Sequence, residues 1–287
     1  MASIREAVRV LQGQPKVDGA GVKLRRMFSR DEAVLMDPFL MLDHFGSDRP
    51  EDYMAGFPMH PHRGIETVTY MFEGHVDHRD SLGNHGAIGP GDVQWMTAGS
   101  GILHEEMPRG SGGAMRGVQL WVNLPKASKM MAPRYREIKK EEIPVFDLGG
   151  GSWIKVIAGE SQGLVGPVRD LVVDVKLLDI ALGSRHTLEH EMPADRNGFV
   201  MVYAGELKVG DKEPMTVPSG SVGVFGPGDT YRLSVGKRPA RFILASAKPL
   251  KEPIAWGGPI VMNTREELDQ AFSELKAGTF IRQRPDP

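Results

Sequence analysis

Residues 56–74 carry histidines at 60 and 62 and a glutamate at 66, in Met59-His60-Pro61-His62-Arg63-Gly64-Ile65-Glu66-Thr67-Val68-Thr69-Tyr70, just ahead of a β-branched run. Successive side chains of a β-strand point to opposite faces, so positions 60, 62 and 66 are predicted to project from one face, with neighbours about 6–7 Å apart. Two imidazoles so placed can lean onto one metal ion through bonds of about 2.1 Å. A second stretch, residues 89–108, begins with the turn chemistry Gly89-Pro90-Gly91-Asp92. In it 93–97 reads as a strand, Ala98-Gly99-Ser100-Gly101 as a tight turn, and 102–107 as a returning strand on which His104 and Glu106 share a face. Three neutral imidazoles and one carboxylate form an N₃O donor set. It suits a borderline divalent ion: iron, nickel, copper, zinc or manganese.

The elements that must hold these donors are read as strands. The 35 glycines and 21 prolines are spread along the chain, which suits short strands joined by tight turns and favours a sandwich or barrel over a helical fold. A length of 287 residues allows two domains. Residues 1–55 are read as outer strands leading into a first barrel, and 125–151 as a strand and connection whose Lys139-Lys140-Glu141-Glu142 run is a solvated face. The second half repeats the first in outline. Met71-Phe72-Glu73-Gly74-His75-Val76 aligns with Val202-Tyr203-Ala204-Gly205-Glu206-Leu207, and Gly89-Pro90-Gly91-Asp92 with Gly226-Pro227-Gly228-Asp229. On that alignment His60, His62 and Glu66 map onto Glu191, Pro193 and Asn197, and His104 and Glu106 near Arg241 and Ile243. The second barrel keeps the frame and is expected to lack metal ligands, since His186 and His190 are four apart in a stretch that does not favour a helix. Near the end, Thr264-Arg265-Glu266-Glu267 fits a capping box, Leu268, Ala271, Phe272 and Leu275 form an apolar stripe, and Gly278 closes a helix.

Lysine plus arginine total 35 against 37 acidic residues, a net charge of −2, so there is no electrostatic footprint for direct nucleic-acid binding or for an anionic membrane. The chain has no cysteine, which excludes thiolate metal sites, disulfides and cysteine nucleophiles. No apolar run is long enough to span a membrane, and the first ten residues lack a signal-peptide apolar region. A cytoplasmic location is the expectation.

The donor stretches resemble the pirin family of two-domain cupins. The matching segments are Asp37-Pro38-Phe39-Leu40-Met41-Leu42-Asp43-His44-Phe45-Gly46, residues 60–70, 91–99 and 101–107, and Gly258-Pro259-Ile260-Val261-Met262-Asn263-Thr264. The resemblance implies an all-β bicupin of two tandem β-barrel domains, read as 1–135 with the metal site and 136–287 without metal ligands, ending in the helix. It implies one divalent ion, Fe(II) in the family, held by His60, His62, His104 and Glu106. It also implies a ring-cleaving dioxygenase that takes a flavonol such as quercetin and dioxygen, with Glu106 or Glu66 as the carboxylate that accepts the flavonol's 3-hydroxyl proton. The alternative is a metal- or redox-sensing regulator whose partner is a transcription factor or a metabolic enzyme.

Other residues have blander readings. His44 borders the pocket or is a hydrogen-bonded structural histidine, and His75, His78 and His85 flank a hairpin loop and are expected to be exposed. Arg63 orients an anionic substrate or pairs with a surface carboxylate. Trp95 and Met96 are expected in the core.

Overall fold

A computed structural model describes residues 2–110 and 113–282; the outermost residues of both expected domains, 1 and 283–287, lie outside them. Among the described residues β-strands dominate, and the one α-helix is Arg265–Ala277. The chain is the predicted pair of cupin-type β-barrels. It forms two compact units, one of Pro15–Lys140 with Leu250–Pro287, the other of Met1–Gln14 with Glu141–Pro249.

The crossover near 140 lies close to the expected boundary, but the two chain ends belong to the opposite units. Ile4–Arg5 pairs with Thr230–Ser234 and Ala7–Gln12 with Ser221–Phe225, so the opening strands complete the second unit and do not lead into the first. The helix packs in the first unit, where Leu268, Ala271 and Phe280 share a core with Ile260 and Met262. Membership of a unit is settled by which sheet edge a strand's free N–H and C=O groups satisfy, and sequence order does not encode that. The helix has the predicted caps: Thr264 accepts from the Glu267 amide, and Gly278 is left-handed. Phe272, placed on the apolar stripe, remains 40% exposed.

The first unit has a seven-stranded sheet in the order Arg134–Ile138, Val93–Thr97, Ile65–Glu73, Met115–Asn123, Phe39–Ser47, Val22–Phe28, Gln14–Asp18. Its second sheet has four strands, Phe57–His62, Ile102–Arg109, His75–Asp80 and His85–Ile88. The strands 93–97 and 102–109 both form, but not as a hairpin. One lies in each sheet, and the turn 98–101 carries the chain between them. The strand Phe57–His62 is an edge strand, which tolerates Pro58 and Pro61 because an edge leaves one row of N–H groups unpaired. Trp95 and Met96 are fully buried.

In the second unit the first repeat alignment holds, since Gly74 (φ +79°) and Gly205 (φ +77°) make the same left-handed turn between successive strands. The second does not. Ser221–Phe225 pairs with Asn197–Ala204 as Val93–Thr97 pairs with Ile65–Glu73, so Gly226-Pro227-Gly228-Asp229 is the counterpart of the turn 98–101. The strand matching Ile102–Arg109 is therefore Thr230–Ser234. Arg241 and Ile243 lie instead on Ala240–Ala247, inside the large sheet between Lys176–Leu182 and Asn197–Ala204. On Thr230–Ser234, Tyr231 and Leu233 are completely buried in an apolar core with Leu188, Val200 and Phe242. His186 meets the Ser152 hydroxyl, and the His190 ring lies against Tyr231.

Among the described residues no helix is long and apolar enough to cross a membrane.

Candidate metal centre

Strands Phe57–His62 and Ile102–Arg109 are antiparallel neighbours, with His60 directly opposite His104 and His62 opposite Ile102. Directly paired residues share a face, so the pairing brings all three imidazoles together. Their ring centroids are 4.3 Å (His60–His104), 4.9 Å (His60–His62) and 5.0 Å (His62–His104) apart. Among the described residues this is the one group of three or more histidine or acidic side chains whose donor atoms lie within 4.8 Å of one another.

The hydrogen bonds fix which nitrogens face inward. His60 Nδ1 is 2.9 Å from the Pro58 carbonyl and His62 Nδ1 is 3.2 Å from the Pro259 carbonyl. A carbonyl only accepts, so both rings carry their proton on Nδ1 and present a bare Nε2. The two Nε2 atoms are 3.1 Å apart. Two lone pairs at that distance repel unless a cation lies between them, and two bonds of about 2.1 Å meeting at roughly 95° would span it. Both nitrogens of His104 are buried without a hydrogen-bond partner, a state that costs free energy unless something else binds them. Burial pushes His62 down to about 3, the neighbouring His60 adding to the shift while the Pro259 carbonyl opposes it. Burial, then the fields of His62, His60 and His78, hold His104 well below its ordinary value. His62 and His104 are thus held as neutral imidazoles, the form that donates to a metal.

Glu106 stands apart from that group. The partner strand Phe57–His62 carries an extra residue between the positions facing His104 and Glu106, and both oxygens of Glu106 are engaged: Thr69 Oγ1 donates to Oε1 at 2.9 Å and Gln119 Nε2 to Oε2 at 2.8 Å. The structure brings it to the same barrel interior without placing it among the three nitrogens.

Glu66 is elsewhere, and its reading as a catalytic carboxylate is corrected. The chain turns at Gly64 (φ +78°), so residues 60 and 62 and residue 66 occupy strands of different sheets. On Ile65–Glu73 it is Thr69 that reaches Glu106, and Glu66 has the opposite parity. Glu66 accepts from the Thr97 hydroxyl at 2.6 Å, and burial raises its carboxyl above the ordinary range. The other candidates fall to structural roles. His44 lies beside Phe72 on the far side of the sheet, and burial, with Arg25 and Arg116, pushes it down to about 4. Arg63 pairs with Glu274 at 2.8 Å with its side chain only 2% exposed, so its carboxylate partner is not a surface one. His75 and His85 are exposed as expected; His78 is not. It is buried, with Nε2 against Tyr135 Oη and Glu137 Oε2, because alternation on His75–Asp80 turns it inward with Val76.

A cavity of about 560 Å³ opens onto His60 and His62, within the range of small-molecule sites. Its aromatic walls are Trp121, whose ring meets His62 edge-on at 5.0 Å, and Trp256, 6.1 Å from Trp121. Arg30 lies 5.5 Å over the Trp256 ring. The polar end of the cavity is Arg26, which clasps Asp43 through two hydrogen bonds of 2.9 and 2.8 Å and reaches Asp18 at 2.7 Å. Asp43 holds Arg26 above its ordinary value, whereas burial raises Asp43 against Arg26's pull. Gln119 links this wall to Glu106, since its Oε1 accepts from Trp121 Nε1 at 3.3 Å. None of these pocket residues was picked out from the sequence. Gln119 and Trp121 had a signal, their i, i+2 spacing on a strand, and Pro259 lies in a segment that carries the family resemblance; Trp256 had none, being about 200 residues from the histidines.

The chain is similar to known proteins over nearly its whole length. Residues 21–122 match the Pirin family model, and residues 177–281 the model described as Pirin C-terminal cupin domain. The chain is 47% identical over 278 residues to a pirin-like protein of Caulobacter vibrioides, covering 96% of this chain and 99% of that one. It is 39% identical over 284 residues to pirin of Mus musculus, covering 96% and 94%. The crystal structure of a quercetin 2,3-dioxygenase from Acinetobacter baumannii superposes with a TM-score of 0.90 at 34% identity, covering 97% of this chain and 99% of that one. With both barrels matched and the similarity extending over nearly the whole length, the chain belongs to the pirin family.

Proposed function

We propose that this protein is a mononuclear metal dioxygenase acting on flavonols such as quercetin, its metal Fe(II) bound by His60, His62 and His104 with Glu106 as the fourth ligand or as the base. The observation that carries the reading is the facing Nε2 pair of His60 and His62, 3.1 Å apart, beside the buried, unpartnered His104, opening onto an aromatic-walled cavity. A divalent ion there would act as a Lewis acid toward the flavonol's adjacent oxygens and give dioxygen a place to react. The similarity to a protein titled quercetin 2,3-dioxygenase supports the substrate class.

The chain's own residues account for binding and proton transfer. Trp121 and Trp256 offer faces and edges for a flat ring system. Of the carboxylates on this side of the barrel, Asp43 and Asp18 are both paired with Arg26. Glu106 faces only the neutral donors Thr69 and Gln119, so it is the carboxylate free to take the proton of the substrate's 3-hydroxyl. Gln119 Nε2 holds Oε2 in place while that proton is accepted. The test is oxygen uptake by Fe(II)-loaded protein with quercetin, against the same protein after chelation. Consumption of oxygen and flavonol in equal amounts, lost on chelation, supports the reading; no turnover with intact, metal-loaded protein overturns it.

A further inference from the structure

We infer that the return segment 258–261, locked by the buried ammonium of Lys129, is the device that orients the metal-binding face of His62, and that Lys129 is a positioning residue of the metal centre. The inference rests on the metal-site reading above. It deepens that reading by assigning the outer contacts that hold a ligand in place.

Three consecutive residues, 62 to 64, are tied to this segment. The His62 ring donates from Nδ1 to the Pro259 carbonyl at 3.2 Å. The Val261 amide donates to the Arg63 carbonyl at 3.1 Å, and Arg63 bridges to Ile260. Lys129 Nζ then donates to the Gly64 carbonyl at 2.9 Å, the Val261 carbonyl at 2.9 Å and Asn123 Oδ1 at 2.7 Å. An ammonium has three protons, and all three are used. The approach is so close that a Cβ on Gly64 would sit 2.0 Å from the Val261 oxygen. Arg63 adds a second anchor, donating to the Phe280 carbonyl at 2.9 Å and pairing with Glu274 of the helix.

Lys129 is 1% exposed and carries a charge with no carboxylate in hydrogen-bond contact. Burying an ammonium is costly, and an apolar residue would fill such a site at lower cost. What the ammonium provides is a fixed three-way junction between the turn after His62 and the segment that supplies its hydrogen-bond acceptor. Without it the segment keeps only its backbone ties to Arg63, and the Pro259 carbonyl that holds the His62 proton on Nδ1 is less firmly placed. Such outer contacts to a ligating histidine are worth about 10–100-fold in metal affinity.

The test uses the full-length protein freed of metal, with Co(II) alone as the probe, followed by its absorbance and by calorimetry. Lys129→Met should weaken Co(II) binding about 10–100-fold. Glu274→Gln, which loosens the outer anchor and leaves Lys129 intact, should have a smaller effect. Val93→Ala, a core truncation in the same unit, controls for lost stability and should leave affinity unchanged. As a second readout, the ¹⁵N signals of His62 in the metal-free wild type should report the Nδ1–H form, and in Lys129→Met a mixture of both tautomers. If Lys129→Met does not fold, a wild-type His62 protonated on Nε2 still refutes the inference. Wild-type affinity and tautomer in a folded Lys129→Met variant overturn it as well, whereas a wild type that binds no Co(II) overturns the metal-site reading itself.

Discussion

Replacing His62 by alanine tests the metal centre most directly. The substitution removes one of the two Nε2 atoms that face each other at 3.1 Å and leaves His60, His104 and Glu106. Four-donor sites bind zinc with apparent free energies of about 10–16 kcal/mol, or about 2.5–4 kcal/mol per donor if shared equally. Losing one donor should therefore weaken binding about 10²–10³-fold. The variant also loses the edge contact with Trp121 and leaves the Pro259 carbonyl without its donor, a cost of about 1–3 kcal/mol that should lower the melting temperature of the metal-free protein. Affinity must therefore be measured well below that temperature, with circular dichroism confirming the fold. The assay is Co(II) titration of metal-free protein in competing chelator, with His190→Ala, in the second unit, as the control. A His62→Ala affinity within threefold of wild type, in folded protein, would refute the assignment of these histidines as ligands.

The acid stability of the metal-free protein should depend in part on His44. Burial holds its folded-state pKa at about 4 against about 6.5 when unfolded, so between those values the unfolded chain binds the extra proton. The stability is thus present above pH 6.5 and lost as pH falls toward 4, by up to about 3 kcal/mol; chemical denaturation of His44→Asn should show a flatter loss across that window. Arg26→Met strands the carboxylate of Asp43, which is 4% exposed, and should destabilise the protein by about 3–5 kcal/mol; the Arg26→Met, Asp43→Leu double variant should recover much of this in urea denaturation. Trp256→Ala should raise the KM for a flavonol about 2–10-fold, the equivalent of one aromatic contact. It should lower Co(II) affinity less than Lys129→Met does, because the Trp256 indole donates to the segment 258–261 at the Gly258 carbonyl alone.

Local chemistry was legible in the sequence. Alternation put His60 with His62 and His104 with Glu106, turn residues bounded the strand 93–97 and the start of the next strand, read as 102–107 and found as 102–109, and the capping box and Gly278 bounded the helix to the residue. These features depend on neighbours within a few positions, where backbone geometry leaves few choices. The tertiary structure decided everything that depends on which edges pair. It sent Ile102–Arg109 to a different sheet from Val93–Thr97, and so set His104 opposite His60. It turned the chain at Gly64 and took Glu66 away from the site. It moved the second Gly-Pro-Gly-Asp one turn along the repeat, placing Tyr231 and Leu233 on the strand expected to hold Arg241. It also brought Trp256, Pro259 and the terminal helix back to the first barrel, about 200 residues away in the chain, to wall and brace the site. Strand pairing is non-local, since any free edge offers the same N–H and C=O groups, and the choice among edges is made by the burial of whole faces, which no short stretch of sequence contains.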